Sequence, residues 1–339
     1  MRSLGRYLLI RTLLTIPMIF VLVTLVFLIL RVMPGDPVKA AIRPGAPQEY
    51  IDEIRHTLGL DKPLYVQYGE YLWDLLHLDL GTTLSPVRGQ SVAQQIWDHF
   101  PATLELSLAG MLVTAVVGIG LGAYAAHHRR SPVDYGLRLY AIVVYAIPVF
   151  WLGLMMQLIF GVWLRWLPVA GRISNLSMAP EHITGLYVVD SLLTRNWPAL
   201  KDSLFHLIMP ALTLGLYLSG IFVRLTRSNM LQVLKLDFVT AARARGVPER
   251  TVVYRHALKN ALIPIITMLG LQFALLLAGA VLTESTFSWP GLGRFLVERI
   301  TYRDFPSIQG TVVIFAVLVA SVSLLVDVIY AWIDPRIRY

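Results

Sequence analysis

Six apolar stretches, at residues 9–31, 101–126, 137–163, 204–224, 261–283 and 310–332, limit what this chain can become more than any other feature of its sequence. Each reaches the roughly 20 residues that a helix needs to cross the hydrocarbon core of a bilayer. In hydrocarbon every backbone N–H and C=O must find its partner inside the protein, which a helix achieves segment by segment. The sequence therefore predicts an all-α polytopic membrane protein with six transmembrane helices. Composition agrees: charged residues are 15% of the chain and apolar ones 56%, against about one quarter charged in soluble domains. The first stretch is too long for the apolar core of a secretory signal and runs into Arg31-Val-Met-Pro-Gly-Asp-Pro37 instead of a small-residue cleavage site. It reads as a retained span, with the mature chain beginning at its own start.

Basic residues set the expected orientation, because short cytoplasmic loops retain Lys and Arg. With the N-terminus inside, the inner segments carry 16 basic and 4 acidic residues, and the outer segments 13 and 15. Both termini are expected in the cytoplasm. The net charge of +8 follows from this topology and does not signal nucleic-acid binding. With no cysteine in the chain, disulfides, thiolate metal sites and lipid-modified cysteines are excluded. The adjacent pair His127-His128 points in directions about 100° apart on a helix, unlike metal-binding histidines at i and i+4, and reads as interfacial.

Loop sizes divide the chain into residues 1–31, the N-terminus and first span; 32–100, an external cap; and 101–339, a five-helix core with a large inner loop at about 225–260. Turn signals at Pro34-Gly-Asp-Pro37, Gly59-Leu-Asp-Lys-Pro63 and Asp79-Leu-Gly81 mark the cap as a small folded unit. The aromatics of Leu64-Tyr-Val-Gln-Tyr-Gly-Glu-Tyr-Leu-Trp73 recur at helical spacing, which predicts packing on the membrane-facing side of the cap, with ligand contact as the alternative. The second external loop, about 164–203, is polar and irregular and ends in Asn196-Trp-Pro198; either substrate or a partner protein could meet it. Pro17, Pro148, Pro210, Pro264 and the Gly118-Ile-Gly120-Leu-Gly122 run interrupt the spans, as suits helices that kink and approach closely.

Two carboxylates, Glu105 and Asp327, fall inside apolar stretches. An ionisable group at that depth needs a cavity or a partner. A structural ion pair or hydrogen bond is the simpler expectation for each; handling of substrate or protons is the alternative. The sequence holds no Gly-x-x-x-x-Gly-Lys-Ser/Thr phosphate loop and no His-Glu-x-x-His zinc site, so nucleotide hydrolysis by that loop and zincin-type hydrolysis are not expected of it. Tyr217-Leu-Ser219-Gly220 has Tyr where an intramembrane serine protease needs Gly, and the nearest histidine, His206, is on the same span.

The remaining feature is a charged island between the fourth and fifth stretches, Asp237-Phe-Val-Thr-Ala-Ala-Arg-Ala-Arg-Gly246 followed by Val247-Pro-Glu-Arg-Thr-Val-Val-Tyr-Arg-His256. It predicts a short helix with small Ala241, Ala242 and Ala244 on it, a break at Gly246-Val-Pro248, and a second amphipathic helix. Such a corner suits close docking of a partner. An interfacial helix on anionic lipid, drawn there by Arg243, Arg245 and Arg250, satisfies the same residues.

The stretch Thr240-Ala-Ala-Arg-Ala-Arg-Gly246, with His256-Ala-Leu258 after nine intervening residues, resembles the EAA loop of permeases in binding-protein-dependent ABC importers. Thr240 stands for that motif's Glu, His256 for its Ile and Lys259 for its Pro, a variant similar to the dipeptide/oligopeptide/nickel branch. Pro101-Ala-Thr-Leu-Glu105, Arg224-Leu-Thr-Arg-Ser228, Thr283-Glu-Ser-Thr-Phe-Ser-Trp-Pro-Gly-Leu-Gly293 and Asp334-Pro-Arg-Ile-Arg338 extend the resemblance. The cap and the Phe-Ser-Trp-Pro-Gly-Leu-Gly run resemble the branch's B-type subunits. The resemblance implies an ABC importer type I permease fold in a bacterial inner membrane. It further implies a second, C-type permease subunit, an external solute-binding protein, and two ABC ATPase subunits that hold the ATP and Mg, with no cofactor on this chain. Dipeptides or short oligopeptides are the implied substrate; nickel chelates, glutathione or other small solutes are the alternative, and a self-sufficient secondary transporter or an intramembrane enzyme are readings from other classes. Asp237, Thr240, Ala241, Ala242, Arg243, Arg245, Gly246 and His256 are implied as the ATPase-coupling loop.

Overall fold

The computed structural model describes residues 2–32, 47–57, 59–85, 87–174 and 179–333. Among these residues the structure is helical, with one isolated bridge between Thr82 and Ser91 and no strand. The first long helix, α1 (Arg2–Val32), is followed in the cap by α2 (Gln48–Thr57) and α3 (Leu64–Leu76). Then come α4 (Val92–His127), α5 (Pro132–Ala146), α6 (Val149–Trp163), α7 (Tyr187–Leu193) and α8 (Trp197–Val233). The rest is α9 (Asp237–Ala244), α10 (Glu249–Leu277), α11 (Val281–Thr286), α12 (Leu292–Thr301) and α13 (Phe305–Ile333). Among the described residues five helices are long and apolar enough to cross a membrane, and the bent pair α5–α6 makes a sixth when counted as one span.

Helix starts follow local chemistry. Ser91, Ser131 and Asn196 cap α4, α5 and α8 by accepting hydrogen bonds from the N–H groups of Gln94, Asp134 and Ala199, and Pro in the first turn of α5 and α8 loses no helical donor. The third apolar stretch is broken at Pro148, where the sequence predicts an interruption: α5 and α6 meet at 99°. Ile147 is extended, with ψ 128°, and Pro148 caps α6, as the steric demand of proline on its predecessor requires. Similarly, the fifth stretch stops at Leu277, where Gly279 takes φ +117° and the chain turns into α11.

The long helix α8 is the axis of the molecule, with α4, α5, α6 and α10 against it. Leu106, Leu214, Leu218, Leu276 and Trp289 form its main apolar cluster. Lipid tails are as apolar as leucine, so packing quality and polar ties determine which helices associate here. Three such ties are strong. Arg227 of α8 donates from Nε (2.5 Å) and Nη2 (2.8 Å) to the buried Asp134 of α5. Arg172 pairs with Glu105 of α4, and Glu284 of α11 is bound by the α4 side chain of Thr103. The cap rests on α1: Tyr68 and Tyr71 of α3 lie 5.2 and 5.5 Å from the Phe27 ring, and Tyr68 Oη is 2.6 Å from Thr24 Oγ1. The aromatic spacing in α3 thus packs on the first span, as the sequence suggests.

Candidate functional site

Opposite the cap, α9 projects beyond the ends of α4, α8 and α10. Its inward face carries Val239 and Ala242, both buried with Val252 of α10 and covered by Leu234 and Val247. The helix ends in a Schellman motif: Gly246 N–H bonds the Arg243 carbonyl (2.9 Å) and Val247 N–H the Ala242 carbonyl (3.2 Å), with Val247 packed near Ala242. Gly246 has φ +73°, a conformation costing an L side chain about 1–2 kcal/mol. The Arg243 guanidinium then closes the corner from one side, donating from Nη2 (2.6 Å) and Nε (3.0 Å) to the two Glu249 carboxylate oxygens. Behind the corner, α10 opens with a π-helical turn, Val252–Ala257. Val253 and Ala257 of that turn pack with Met230 and Ala126, tying the α9 corner to the ends of α8 and α4.

Of the residues proposed from sequence, Asp237, Thr240, Ala241, Arg243, Arg245 and Gly246 are exposed together on this corner. Ala242 is not on that surface; at 3% exposure it seats α9 on its own chain, because the helical period turns it to the side of Val239. His256 is exposed on the π-helical turn, its carbonyl bonded by Asn260 Nδ2 at 2.9 Å. The corner is thus a firmly backed surface of small side chains, with one guanidinium, Arg243, already neutralised within the chain.

Glu105 lies at the cap end of α4, in a buried ion pair of the kind expected as the simpler reading. Arg172 Nε (2.8 Å) and Nη2 (2.7 Å) reach its Oε2, and Val188 N–H its Oε1 (2.8 Å). The guanidinium also bonds the Gly185 carbonyl and lies 3.8 Å from the Tyr187 ring centroid. The 164–203 loop is therefore less irregular than its composition implies. Asp190 organises it, accepting from the N–H groups of Ile183, Thr184 and Gly185 and from Thr184 Oγ1. Burial alone would raise the Asp190 carboxyl; these hydrogen bonds outweigh it and hold the group below its ordinary range. The Asp327 side chain lies outside the described residues.

Sequence reasoning missed Glu284, which is fully buried in the α11–α12 segment that follows the fifth span. Its carboxylate accepts from Thr103 Oγ1 (2.7 Å) and Arg294 N–H (2.9 Å), and a Cβ on Gly291 would overlap it. Trp289 beside it donates from Nε1 to the Ala102 carbonyl at 2.8 Å. The available signal was the polar Thr283-Glu-Ser-Thr run at the end of an apolar stretch, which reads as loop until α4 is seen to receive it.

Two family models cover most of the chain. One, described as the binding-protein-dependent transport system inner membrane component, matches residues 118–339, and the N-terminal membrane-component model of the same systems matches residues 4–107. Among curated relatives, the dipeptide transport system permease protein DppB of Alkalihalophilus pseudofirmus is 40% identical over 97% of this chain and 98% of its own length. The di/tripeptide transport system permease protein DppB of Pseudomonas aeruginosa is 43% identical over 96% of each chain. The dipeptide permease DppB of Escherichia coli K12 is 38% identical, again over 96% of each. The bundle of membrane-length helices agrees with these full-length relationships, which make the chain a member of the binding-protein-dependent transport system inner membrane component family.

Proposed function

We propose that this chain is a permease subunit of an ABC importer that takes up dipeptides or short oligopeptides, working with a C-type permease subunit, an external solute-binding protein and two ATPases that hold ATP and Mg. The full-length relatives, named as dipeptide and di/tripeptide permeases, support the substrate class. The observation that carries the mechanism is the α9 corner: exposed Thr240, Ala241 and Gly246 over a buried Val239–Ala242–Val252 backing. A surface docking in an ATPase groove needs small side chains outside, for close approach, and a rigid attachment inside, for force to reach the spans. Here that attachment runs from α9 through the π-helical turn into α10, and through Met230 into α8. Approach of two ATPases on ATP binding would move two such corners together and reorient the spans between two states. The excess of basic residues on the α9 side supports a cytoplasmic location for that corner and for both termini.

Co-purification from native membranes in mild detergent tests the assembly, with a second six-span permease and one or two Walker-motif ATPases as the expected companions. Gly246→Asp tests the corner. The new carboxylate has open space inside the chain, since nothing lies within 4 Å of a Cβ there, so insertion should persist while peptide uptake and transport-coupled ATPase activity are lost. Full uptake by that variant, or uptake insensitive to ATP depletion, would sink the proposal.

A further inference from the structure

A cavity of about 170 Å³ opens between cap helix α3, the turn at residues 79–84 and the first turns of α13. The docking corner is at the other end of the molecule, and the described functional residues do not line the cavity. Its depth is lined with donors. Gln309 of α13 is 8% exposed and faces the Tyr71 hydroxyl, but neither its Nε2 nor the buried Tyr71 Oη meets a partner in good hydrogen-bond geometry among the described residues. A buried unmatched donor costs about 1–3 kcal/mol, and both of these side chains line the cavity. Arg31 lines it as well, oriented by the bond from its Nε to Gln67 Oε1 at 2.8 Å, which leaves the other guanidinium N–H groups to act as donors.

The rim has the opposite character. Glu70, Asp74 and Asp79 lie along it. Glu70 is engaged by Lys62, and Asp79 accepts from Gly81 N–H. The Asp74 carboxylate forms no ion pair or hydrogen bond among the described residues, and partial burial together with Asp79 and Glu70 raises it above its ordinary range. That direction marks negative charge that a bound cation would relieve. Leu75, Leu80, Leu84 and Phe305 complete the apolar wall between rim and depth.

We propose that this cavity binds a small zwitterion, of α-amino-acid to dipeptide size, with its carboxylate end toward Gln309 and Arg31 and its ammonium end at Asp74. Neither a simple anion nor a simple cation satisfies both zones, because the three carboxylates repel the first and the donors repel the second. The volume is below the roughly 300–1,000 Å³ of drug-sized clefts, which suits a ligand of a few heavy atoms beyond its two charged groups. A bound zwitterion would link α3 of the cap to α13. The site does not depend on which solute crosses the membrane.

Isothermal titration of the full-length chain in phospholipid nanodiscs with L-alanyl-L-alanine tests this. Saturable binding is expected, weakened about tenfold or more by Asp74→Asn and by N-acetylation of the probe, since each removes one charge-assisted contact. Gln309→Met, similar in volume, should weaken it to a comparable degree. Asp74 is exposed, so its variant keeps the fold and decides the question even if Gln309→Met misfolds. Absence of saturable binding up to about 10 mM, binding that Asp74→Asn leaves unchanged, or equal affinity for N-acetyl-dialanine would each overturn the site. Unchanged binding in the variant would place the dipeptide elsewhere on the chain, so loss of this site and loss of peptide recognition in transport are distinguishable.

Discussion

Single carboxylates at the cap end do two different things. Glu105 and Arg172 are each 7% exposed, and together they hold the 164–203 loop on α4. Removing one partner of such a pair leaves an uncompensated buried charge, a loss of about 3–5 kcal/mol. Arg172→Met should therefore lower stability far more than Arg172→Met combined with Glu105→Gln, as a double-mutant cycle of equilibrium unfolding in mixed micelles will measure. Equal losses would mean that the pair is solvated. Among the described residues Glu284 has no cation at its carboxylate, only hydroxyl and amide donors, and burial raises it above the ordinary glutamate range. A raised acid binds its proton more tightly when folded. Its contribution is therefore full below the unfolded value near 4.5 and is lost as pH rises through the folded value. Glu284→Gln should match or exceed the native chain in stability at pH 8 and flatten that part of the pH profile, whereas Glu284→Ala, which strands Thr103 Oγ1 and Arg294 N–H, should cost about 1–3 kcal/mol per donor. Glu105 was legible as a residue in need of a partner because it interrupts an apolar stretch. Glu284 was not, because its burial comes from α4, about 180 residues away in sequence.

At the scale of elements, two turns set what the long helices present. In the segment before α7, the hydrogen bonds from residues 183–185 depress Asp190. A depressed acid contributes fully above its unfolded value and loses that contribution as pH falls through the folded one. Amide exchange at Thr184 and Gly185 should accelerate at pH 3 relative to pH 6, and Asp190→Asn should already show the faster exchange at pH 6. At the α9 corner, the Arg243–Glu249 pair is about half exposed, so it contributes no more than about 1 kcal/mol. Arg243→Ala should leave the unfolding midpoint of the chain almost unchanged. Transport should fall if the clamp fixes the corner, and the exchange Arg243→Glu with Glu249→Arg should recover most of it. The break at Gly246-Val-Pro248 was readable from sequence because glycine and proline act locally. The clamp across it was not, since an i, i+6 pair meets only when the chain reverses.

For the molecule as a whole, the bend between α5 and α6 shows how local and tertiary causes combine. Pro148 permits the bend, but α6 is also held in place by long-range contacts. Gln157 Nε2 bonds the Thr286 (2.9 Å) and Val169 (2.7 Å) carbonyls, and Gly153 packs against Thr286 and Phe287 of the α11 segment. Pro148→Ala alone should therefore keep the distance between spin labels at the exposed Leu139 and Trp163. Adding Gly153→Leu should broaden and lengthen it; straightening by the proline change alone would show that the bend is purely local. The membrane class, the approximate spans and the helix break at Gly246-Val-Pro248 followed from the chain's own order, because bilayer thickness, helical period and the glycine and proline effects act over about twenty neighbouring residues or fewer. Only the folded bundle decided that the third stretch bends by 99°, that the segment after the fifth stretch packs on α4, and that Glu105 and Glu284 are served by different partners. Each of those outcomes depends on side chains brought together from distant parts of the chain, and in a lipid environment such packing and polar ties, unlike apolarity, distinguish one helix arrangement from another.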